Sequence, residues 1–389
     1  MKEGWDIRKL GQVFRTSSGG TPSKTHREYY DGGHIKWLRS GEVSQGQILD
    51  TEIHITEEGV KNSSAKLFPV DTVVIAMYGA TVGQVGILKA EMTTNQAICG
   101  IFPNPSVHPS FLSYFLKSHK SKFLELASGA AQPNISQQII KNTLVPVPPI
   151  SEQDKIVAEL DGLTGIVEKK KRQLEELDKL AQSIFYDMFG DPIANERGWD
   201  KKKIGSFSSC IAGATPSTSH DEYWDNGTIP WLSSGEVGKG RIYDTEKKIT
   251  QAGFDCCSTR LVPAHTLVIA MAGQGKTRGT AGVAEIPLCT NQSICSVIPN
   301  EKVALVDFLY YQMRQMYKDL RSISNGDGGR GGLNLKLIGN YPVIVPPHSL
   351  QTEFAQKVQA IEKQKELVKL SIVETETLFD SRMDFWFNN

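Results

Sequence analysis

The sequence predicts an α+β protein built by tandem duplication: two mixed α/β domains, each followed by a long helix, the two helices pairing as an antiparallel coiled coil with pseudo-two-fold symmetry. Three observations predict this. The chain repeats itself at a nearly constant offset, each copy carries short β-branched runs bounded by Gly or Pro, and each copy ends in a heptad-patterned segment.

The repeat comes first. An offset of 194 aligns Gly4-Trp5-Asp6 with Gly198-Trp199-Asp200, Thr21-Pro22-Ser23 with Thr215-Pro216-Ser217, and Ile75-Ala76-Met77 with Ile269-Ala270-Met271. The same offset superposes Trp37-Leu38-Arg39-Ser40-Gly41-Glu42-Val43 on Trp231-Leu232-Ser233-Ser234-Gly235-Glu236-Val237. The offset then becomes 196 at Thr94-Asn95-Gln96 and Thr290-Asn291-Gln292, and 198 at Val147-Pro148-Pro149 and Val345-Pro346-Pro347. Ordered matches separated only by short gaps define two copies of one unit.

Within each copy, residues 72–76 and 266–270 read as buried strands, and segments 109–127 and 305–322 as helices. Each domain closes on a Pro-Pro pair, with Ser151 and Ser349 as expected N-caps of the next helix. That helix carries a seam alternating by four and three. In the first copy it runs Ile156, Leu160, Leu163, Val167, Lys170, Leu174, Leu177, Ala181, Ile184, Met188; in the second, Phe354, Val358, Ile361, Lys365, Val368, Ile372, Thr375, Phe379, Arg382, Trp386. The boundaries expected are a first domain over 1–150, a helix over 151–190, a second domain over 191–348 and a helix over 349–389. A lone helix with such a seam must bury it. Its nearest complement is its duplicate, and a homodimeric coiled coil is the competing arrangement. A pseudo-two-fold axis crossing the helices makes them antiparallel, with one domain at each end. About 39 helical residues span roughly 58 Å, enough to act as a ruler. Lys170 and Lys365 read either as register-setting polar insertions or as snorkelling lysines, and Lys169-Lys170-Lys171-Arg172 as a solvated helix face.

Composition narrows the class without naming a function. Lys+Arg and Asp+Glu number 43 each in 389 residues, so any positive surface has to come from distribution rather than total charge. No signal-peptide core and no long apolar run is present, which makes a cytoplasmic location the expectation. The cysteines at 99, 210, 256, 257, 289 and 295 show neither CxxC pairing nor zinc-finger spacing with His. They read as reduced thiols, with Cys99 and Cys295 as small buried hydrophobes and no metal site in the chain.

Catalytic constellations are missing as well. Both Pro-Pro pairs follow Val, so no Asp-Pro-Pro-Tyr or Asn-Pro-Pro-Phe motif is present, and neither HExxH nor GxSxG occurs. Residues 270–277, Ala-Met-Ala-Gly-Gln-Gly-Lys-Thr, satisfy a relaxed phosphate-loop pattern. A phosphate loop requires a helix opening at Lys-Thr, whereas Arg278-Gly279-Thr280-Ala281-Gly282 comes next. The first copy's counterpart, from Met77 to Gly83, lacks Gly-Lys-Thr altogether. The segment reads as a variable loop carrying Lys276 and Arg278.

The copies match in scaffold and diverge in polar loop residues. Lys24, His26 and Arg27 stand against Thr218, Ser219 and His220; Arg39 against Ser233; and Gln132-Pro133-Asn134 against the Gly-rich run 327–332. One scaffold with two loop chemistries suits two targets of different sequence. Arg and Lys can take guanine O6/N7, Asn and Gln adenine N6/N7. The candidates for DNA contact are Lys24, His26, Arg27, Arg39, Tyr78, Gln132 and Asn134 in the first copy, and Lys276, Arg278, Arg330 and Asn334 in the second. Loop solvation is the alternative at each.

Several of these motifs together carry a family resemblance. Trp-Leu-x-Ser-Gly-Glu-Val in both copies, Thr-Asn-Gln with its apolar tail, Gln132-Pro133-Asn134-Ile135-Ser136, the boundaries Pro148-Pro149 to Gln153 and Pro346-Pro347 to Gln351, and the long helices resemble the specificity subunits of type I restriction–modification systems. The likeness spans essentially the whole chain. It implies two target-recognition domains reading a bipartite, asymmetric DNA sequence, with the helices setting the spacer between its parts. It also implies that this chain holds no cofactor. The partners would be double-stranded DNA, two adenine-N6 methyltransferase subunits using S-adenosylmethionine, and translocase–nuclease subunits using ATP and Mg. The second copy departs at Leu333-Asn334-Leu335, set against Asn134-Ile135-Ser136, and its helix seam is more polar. A scaffold protein docking partners on paired helices, without DNA, is the alternative function; steep salt dependence of duplex binding would separate the two.

Overall fold

The structure, a computed structural model, describes residues 4–128, 133–273, 275–323 and 332–388. Two compact units divide the chain, one comprising Met1–Lys171 with Leu370–Asn389, the other Arg172–Lys369. The long helices, Ile150–Phe189 and His348–Phe387, each begin in one unit and end in the other.

In the first unit, the central strands Val73–Ala76, Val85–Leu88 and Ile98–Ile101 are buried at every residue, because both sheet faces are covered. They form a five-stranded sheet in the order Thr16–Ser18, Ile98–Ile101, Val73–Ala76, Val85–Leu88, Gln47–Ile48, antiparallel except for its last pair. A three-stranded sheet of His54–Ile55, Ile35–Leu38 and Thr93–Thr94 packs around Trp37, and Asp6–Lys9 pairs antiparallel with Leu144–Val147. The second unit repeats this order: Ser208–Ala212, Ile294–Pro299, Thr266–Ala270, Ala281–Ala284, Arg241–Ile242 in the large sheet, and Lys247–Ile249, Ile229–Leu232, Cys289–Thr290 in the small one. Lys201–Lys203 pairs with Pro342–Ile344.

The two segments read as helical each carry two helices. Pro109–Ser118 gives way to Lys120–Glu125 at His119, and Val306–Gln315 to Tyr317–Ser322 at Met316. The long helices open on Ile150 and His348, one residue earlier than expected, so Ser151 and Ser349 lie inside the first turn and are not the caps. The glutamine that ends each Pro-Pro-x-x-x-Gln motif fastens that turn instead. Gln153, fully buried, donates to the carbonyls of Pro148 at 2.7 Å and Ser106 at 2.9 Å and accepts from the His108 amide at 2.7 Å. Gln351 repeats the arrangement with Pro346 at 2.8 Å, Val303 at 3.1 Å and Leu305 at 2.9 Å. Three otherwise orphaned backbone groups are satisfied by one amide, which ties helix to domain.

Every residue of both seams is buried or half-buried. In the first unit the helix strands run antiparallel: Glu159 pairs with Arg382 and accepts from Trp386 Nε1 at 3.0 Å, while Lys170 reaches Thr375 Oγ1 at 3.4 Å and Ser371. The same direction holds in the second unit, where Lys365 bonds Asp178 at 2.7 Å and Phe354 packs edge-on against Phe185 and Phe189, both at 5.5 Å. Both seam lysines therefore end on the facing helix. Cys99, Cys289 and Cys295 are buried and all six cysteines are free thiols. Among the described residues no helix is long and apolar enough to cross a membrane.

Candidate nucleic-acid interface

The repeated Thr-Pro-Ser and Thr-Asn-Gln motifs build a shared frame for the first loop of each domain. Thr21 hydrogen-bonds Gln96, and Thr215 donates to Gln292 at 2.5 Å. Trp37 Nε1 donates to the Gly20 carbonyl at 2.9 Å and Trp231 Nε1 to that of Ala214 at 3.0 Å. Gly19 and Gly213 lie so close to the Thr94 and Thr290 carbonyls that a Cβ would sit 2.0 and 1.7 Å from the oxygen, which makes glycine obligatory at both positions. On this frame Lys24, His26 and Arg27 are exposed. The structural register equates His26 with His220 and not with Ser219. Both imidazoles bond a glutamate two residues on, Glu28 at 2.7 Å and Glu222 at 2.9 Å, and both stack on a tyrosine, Tyr29 at 4.9 Å and Tyr223 at 5.0 Å. His26 thus belongs to the frame the copies share, whereas Lys24 against Thr218 and Arg27 against Asp221 are true differences.

Arg39 shows how a divergence can be structural. Glu42, buried at the start of a 3-10 turn, accepts from the Arg39 amide at 3.1 Å and from the Glu52 amide at 2.8 Å, and Arg39 pairs with both Glu42 and Glu52. In the second copy Ser233 replaces the arginine, and Lys239, which stands where the first copy has Gln45, pairs with Glu236 at 3.1 Å and Glu246 at 2.8 Å. Burial pushes the Glu236 carboxyl up, but the amides of Glu246 and Ser233 together with Lys239 hold it below the usual carboxylate range. The cation has moved six residues along the chain and answers the same two carboxylates.

Tyr78 and Asn134, far apart in sequence, meet as an antiparallel bridge, and both side chains are exposed. Gly79 N donates to the Pro133 carbonyl at 2.9 Å and Ile135 N to Met77 O at 3.0 Å, which fixes the two loops edge to edge. In the second unit Leu333 N donates to Met271 O at 3.1 Å, so Leu333 corresponds to Ile135, Gly332 to Asn134 and Asn334 to Ser136. The register that sets Leu333-Asn334-Leu335 against Asn134-Ile135-Ser136 is one residue out at this point. Asn334 Oδ1 caps the helix Leu335–Asn340 through the Leu337 amide at 2.9 Å, as Ser136 caps Gln137–Asn142 through Ile139 at 3.2 Å. Asn334→Ala is accordingly expected to cost about 0.5–2 kcal/mol of stability and Asn334→Ser almost nothing. Urea unfolding checks this, and a variant as stable as the parent would free Asn334 from the capping role. Gln132 and Arg330 lie outside the described residues.

Lys276 and Arg278 occupy the loop between the antiparallel strands Thr266–Ala270 and Ala281–Ala284, so a strand stands where a phosphate loop needs a helix. Arg321 donates to the carbonyls of Gly275 at 2.8 Å and Arg278 at 3.2 Å, and the Tyr317 hydroxyl to that of Lys276 at 2.8 Å. The loop is held through its carbonyls by a neighbouring helix. Lys276 is exposed and Arg278 half-buried. Among the described residues no group of three or more His, Cys, Asp or Glu side chains is placed to hold a metal ion.

The duplicated geometry agrees with what the chain is similar to. The model of the type I restriction modification DNA specificity domain matches residues 2–179 and 196–376. The MjaIX type I restriction enzyme specificity subunit of Methanocaldococcus jannaschii is 26% identical over 380 residues, covering 92% of this chain and 86% of the relative. The EcoR124I/EcoR124II specificity subunit of Escherichia coli is 28% identical over 184 residues, 43% of this chain and 46% of that one. Two solved structures share the fold at 18% identity: the S subunit of a type I restriction-modification system from M. genitalium, with a TM-score of 0.56 over 99% of this chain and 96% of that one, and a chain from a study of complex assembly and conformational transition in the type I R-M system, with 0.62 over 99% and 98%. With the family match spanning both copies of the repeat, the chain belongs to the type I restriction modification DNA specificity family.

Proposed function

We propose that this chain is the DNA-reading subunit of a type I restriction–modification complex and performs no chemistry of its own. The observation that carries the reading is one loop frame, duplicated in hydrogen bonds and register, presenting different side chains: exposed Lys24, Arg27, Tyr78 and Asn134 in the first unit, exposed Lys276 and half-buried Arg278 in the second. Each domain reads one part of a bipartite, asymmetric target in double-stranded DNA, and tethering makes joint binding tighter than either part alone. Two methyltransferase subunits carrying S-adenosylmethionine modify adenine N6, and restriction subunits driven by ATP and Mg translocate and cut. Exposed apolar side chains on the second long helix, Leu367, Leu370 and Val373 at 67, 57 and 59% exposure, favour a protein partner on that helix.

Mapping methylated adenines in host DNA with and without this chain tests the reading: one bipartite motif should vanish, and an unchanged map in the presence of active methyltransferase would refute it. The helices as ruler are tested separately. Removing residues 169–175 together with the facing heptad of the second helix keeps the seam in phase and shortens the pair by roughly 10 Å, so the unspecified spacer should contract by about 3 base pairs. A spacer of unchanged length would rule the ruler out.

A further inference from the structure

The second unit holds a cleft of about 400 Å³ between its domain and the long helices, walled by residues that include Lys276, Lys369, Tyr310 and Arg314. Its two carboxylates are already engaged. Asp178 pairs with Lys365 at 2.7 Å, while Glu362 bonds Lys365 at 3.0 Å and accepts from the Tyr311 hydroxyl at 3.0 Å. Lys276 and Lys369 have no side-chain partner among the described residues, which leaves uncompensated positive charge at the opening. Tyr310 is only 4% exposed, lies beside the guanidinium groups of Arg241 and Arg314 at 5.9 and 5.5 Å, and turns its hydroxyl toward Gly240 at the cleft without a hydrogen-bond partner among the described residues. A hydroxyl facing the cleft without an acceptor among the described residues, together with the unpartnered Lys276 and Lys369 at the opening, is the complement of an anion carrying several acceptor oxygens.

The corresponding cleft in the first unit, about 560 Å³, lacks this chemistry. Ser113 stands at the Tyr310 position and Gln47 at that of Arg241, and Val167 replaces Lys365. Lys117 there faces Asp161 and Glu168. Ala80 stands at the Lys276 position, because the bond from Gln84 N to Thr81 O recurs from Thr280 N to Thr277 O and so sets the offset at 196 there.

We propose that this second-unit cleft is a phosphate-binding site, in which Lys276, Lys369 and the Tyr310 hydroxyl hold the oxyanion. The site does not work as a phosphate loop. The strand Ala281–Ala284 follows that loop where a phosphate loop needs a helix N-terminus, and its lysine acts as a point charge from the rim. The phosphate can belong to the backbone of duplex DNA, in which case the inference rests on the DNA-reading function, or to a free phosphorylated molecule.

Two arms separate these sources in the full-length chain. Inorganic pyrophosphate is titrated calorimetrically, and binding of a random duplex is followed across a salt series. The double variant Lys276→Ala/Lys369→Ala changes only side chains at the cleft rim, and Tyr310→Phe keeps the packed ring and removes one hydroxyl. A free-ligand site predicts pyrophosphate binding weakened at least tenfold by the double variant and roughly tenfold by Tyr310→Phe. A backbone site predicts that the salt slope of duplex binding drops by about 1 in the double variant. Either result supports the site. Pyrophosphate affinity and salt slope both unchanged in the double variant overturn it. A parent chain that binds no duplex refutes the DNA reading and leaves the pyrophosphate arm to decide the cleft.

Discussion

Replacing Phe354 by alanine is expected to destabilise the second unit by about 3–5 kcal/mol, the cost of deleting a fully buried aromatic ring and leaving a cavity. Phe354 has no exposed surface and meets Phe185, Phe189 and Tyr311 edge-on, each at 5.5 Å. These rings come from both long helices and from Val306–Gln315, so one residue joins the helix pair to the domain it carries. Each such edge-to-face pair adds about 0.5–1.5 kcal/mol beyond the area buried, which places the cost toward the top of the range. Phe354→Ile, which installs the residue found at the equivalent position Ile156, should fall between parent and alanine. Amide hydrogen exchange in the second unit, read against the first as internal reference, gives the local free energies without assuming one cooperative transition. Protection in the second unit unchanged by Phe354→Ala would show that the aromatic cluster does not hold helix and domain together. The functional readout comes from tethering: a chain with one loosened reader should lose methylation of the whole bipartite target.

The repeat and the helix seams are legible in the sequence because both are periodic, and periodicity survives substitution of any single residue. The offset changes fall in loops, which is why matching strands keep their register across the two copies. The loop chemistry is legible only as a set of differences. Arg39 against Ser233 looks like altered specificity until Lys239 is seen to take the arginine's place beside the same pair of glutamates, a compensation visible only once the turn and the loop at Glu246 are folded together. The unbroken offset of 194 from Thr21 to Val43 already equates His26 with His220, so setting Ser219 against it departs from a register the sequence itself supplies, whereas the shared stacking on a tyrosine shows only in the fold. Tyr78 and Asn134 are joined by backbone bonds, which carry no side-chain signature at all. Asn334 could have been found: an Asn directly before Leu335–Asn340, with Ser136 in the same place in the first copy, is a capping signal in its own right.

Arg241→Gln, which gives the second copy the residue held by the first at Gln47, is expected to cost about 3–5 kcal/mol at neutral pH, because it strands buried carboxylates. The guanidinium is about nine-tenths buried and pairs with Glu285 and Asp307, and its Nε lies 3.6 Å from Glu362. Burial pushes the Glu285 carboxyl up, yet His265 and Arg241 hold it below its usual range, so its contribution to stability is present above the unfolded-state value near 4.3 and fades as pH falls through the lower folded value. His265 is raised above its ordinary value, first by its hydrogen bond to Glu285, and its contribution is therefore present below the unfolded value and lost as pH rises through the raised folded one. Without Arg241 the balance at the carboxylates shifts. Crowded and left with His265 alone beside them, they lose most of what favours their charged form, so protonation of the imidazole and the carboxylates relieves the variant, and its deficit relative to the parent should shrink between pH 7 and pH 4.5. The triple variant Arg241→Gln/Glu285→Gln/Asp307→Asn removes the stranded charges along with the cation and should recover most of the loss, since neutral replacements of a buried ion network are far cheaper than breaking one. Urea unfolding at the two pH values decides. A triple variant less stable than Arg241→Gln, or a single-variant deficit that grows on acidification, would mean that the network stabilises through packing and hydrogen bonds, with charge pairing making little difference.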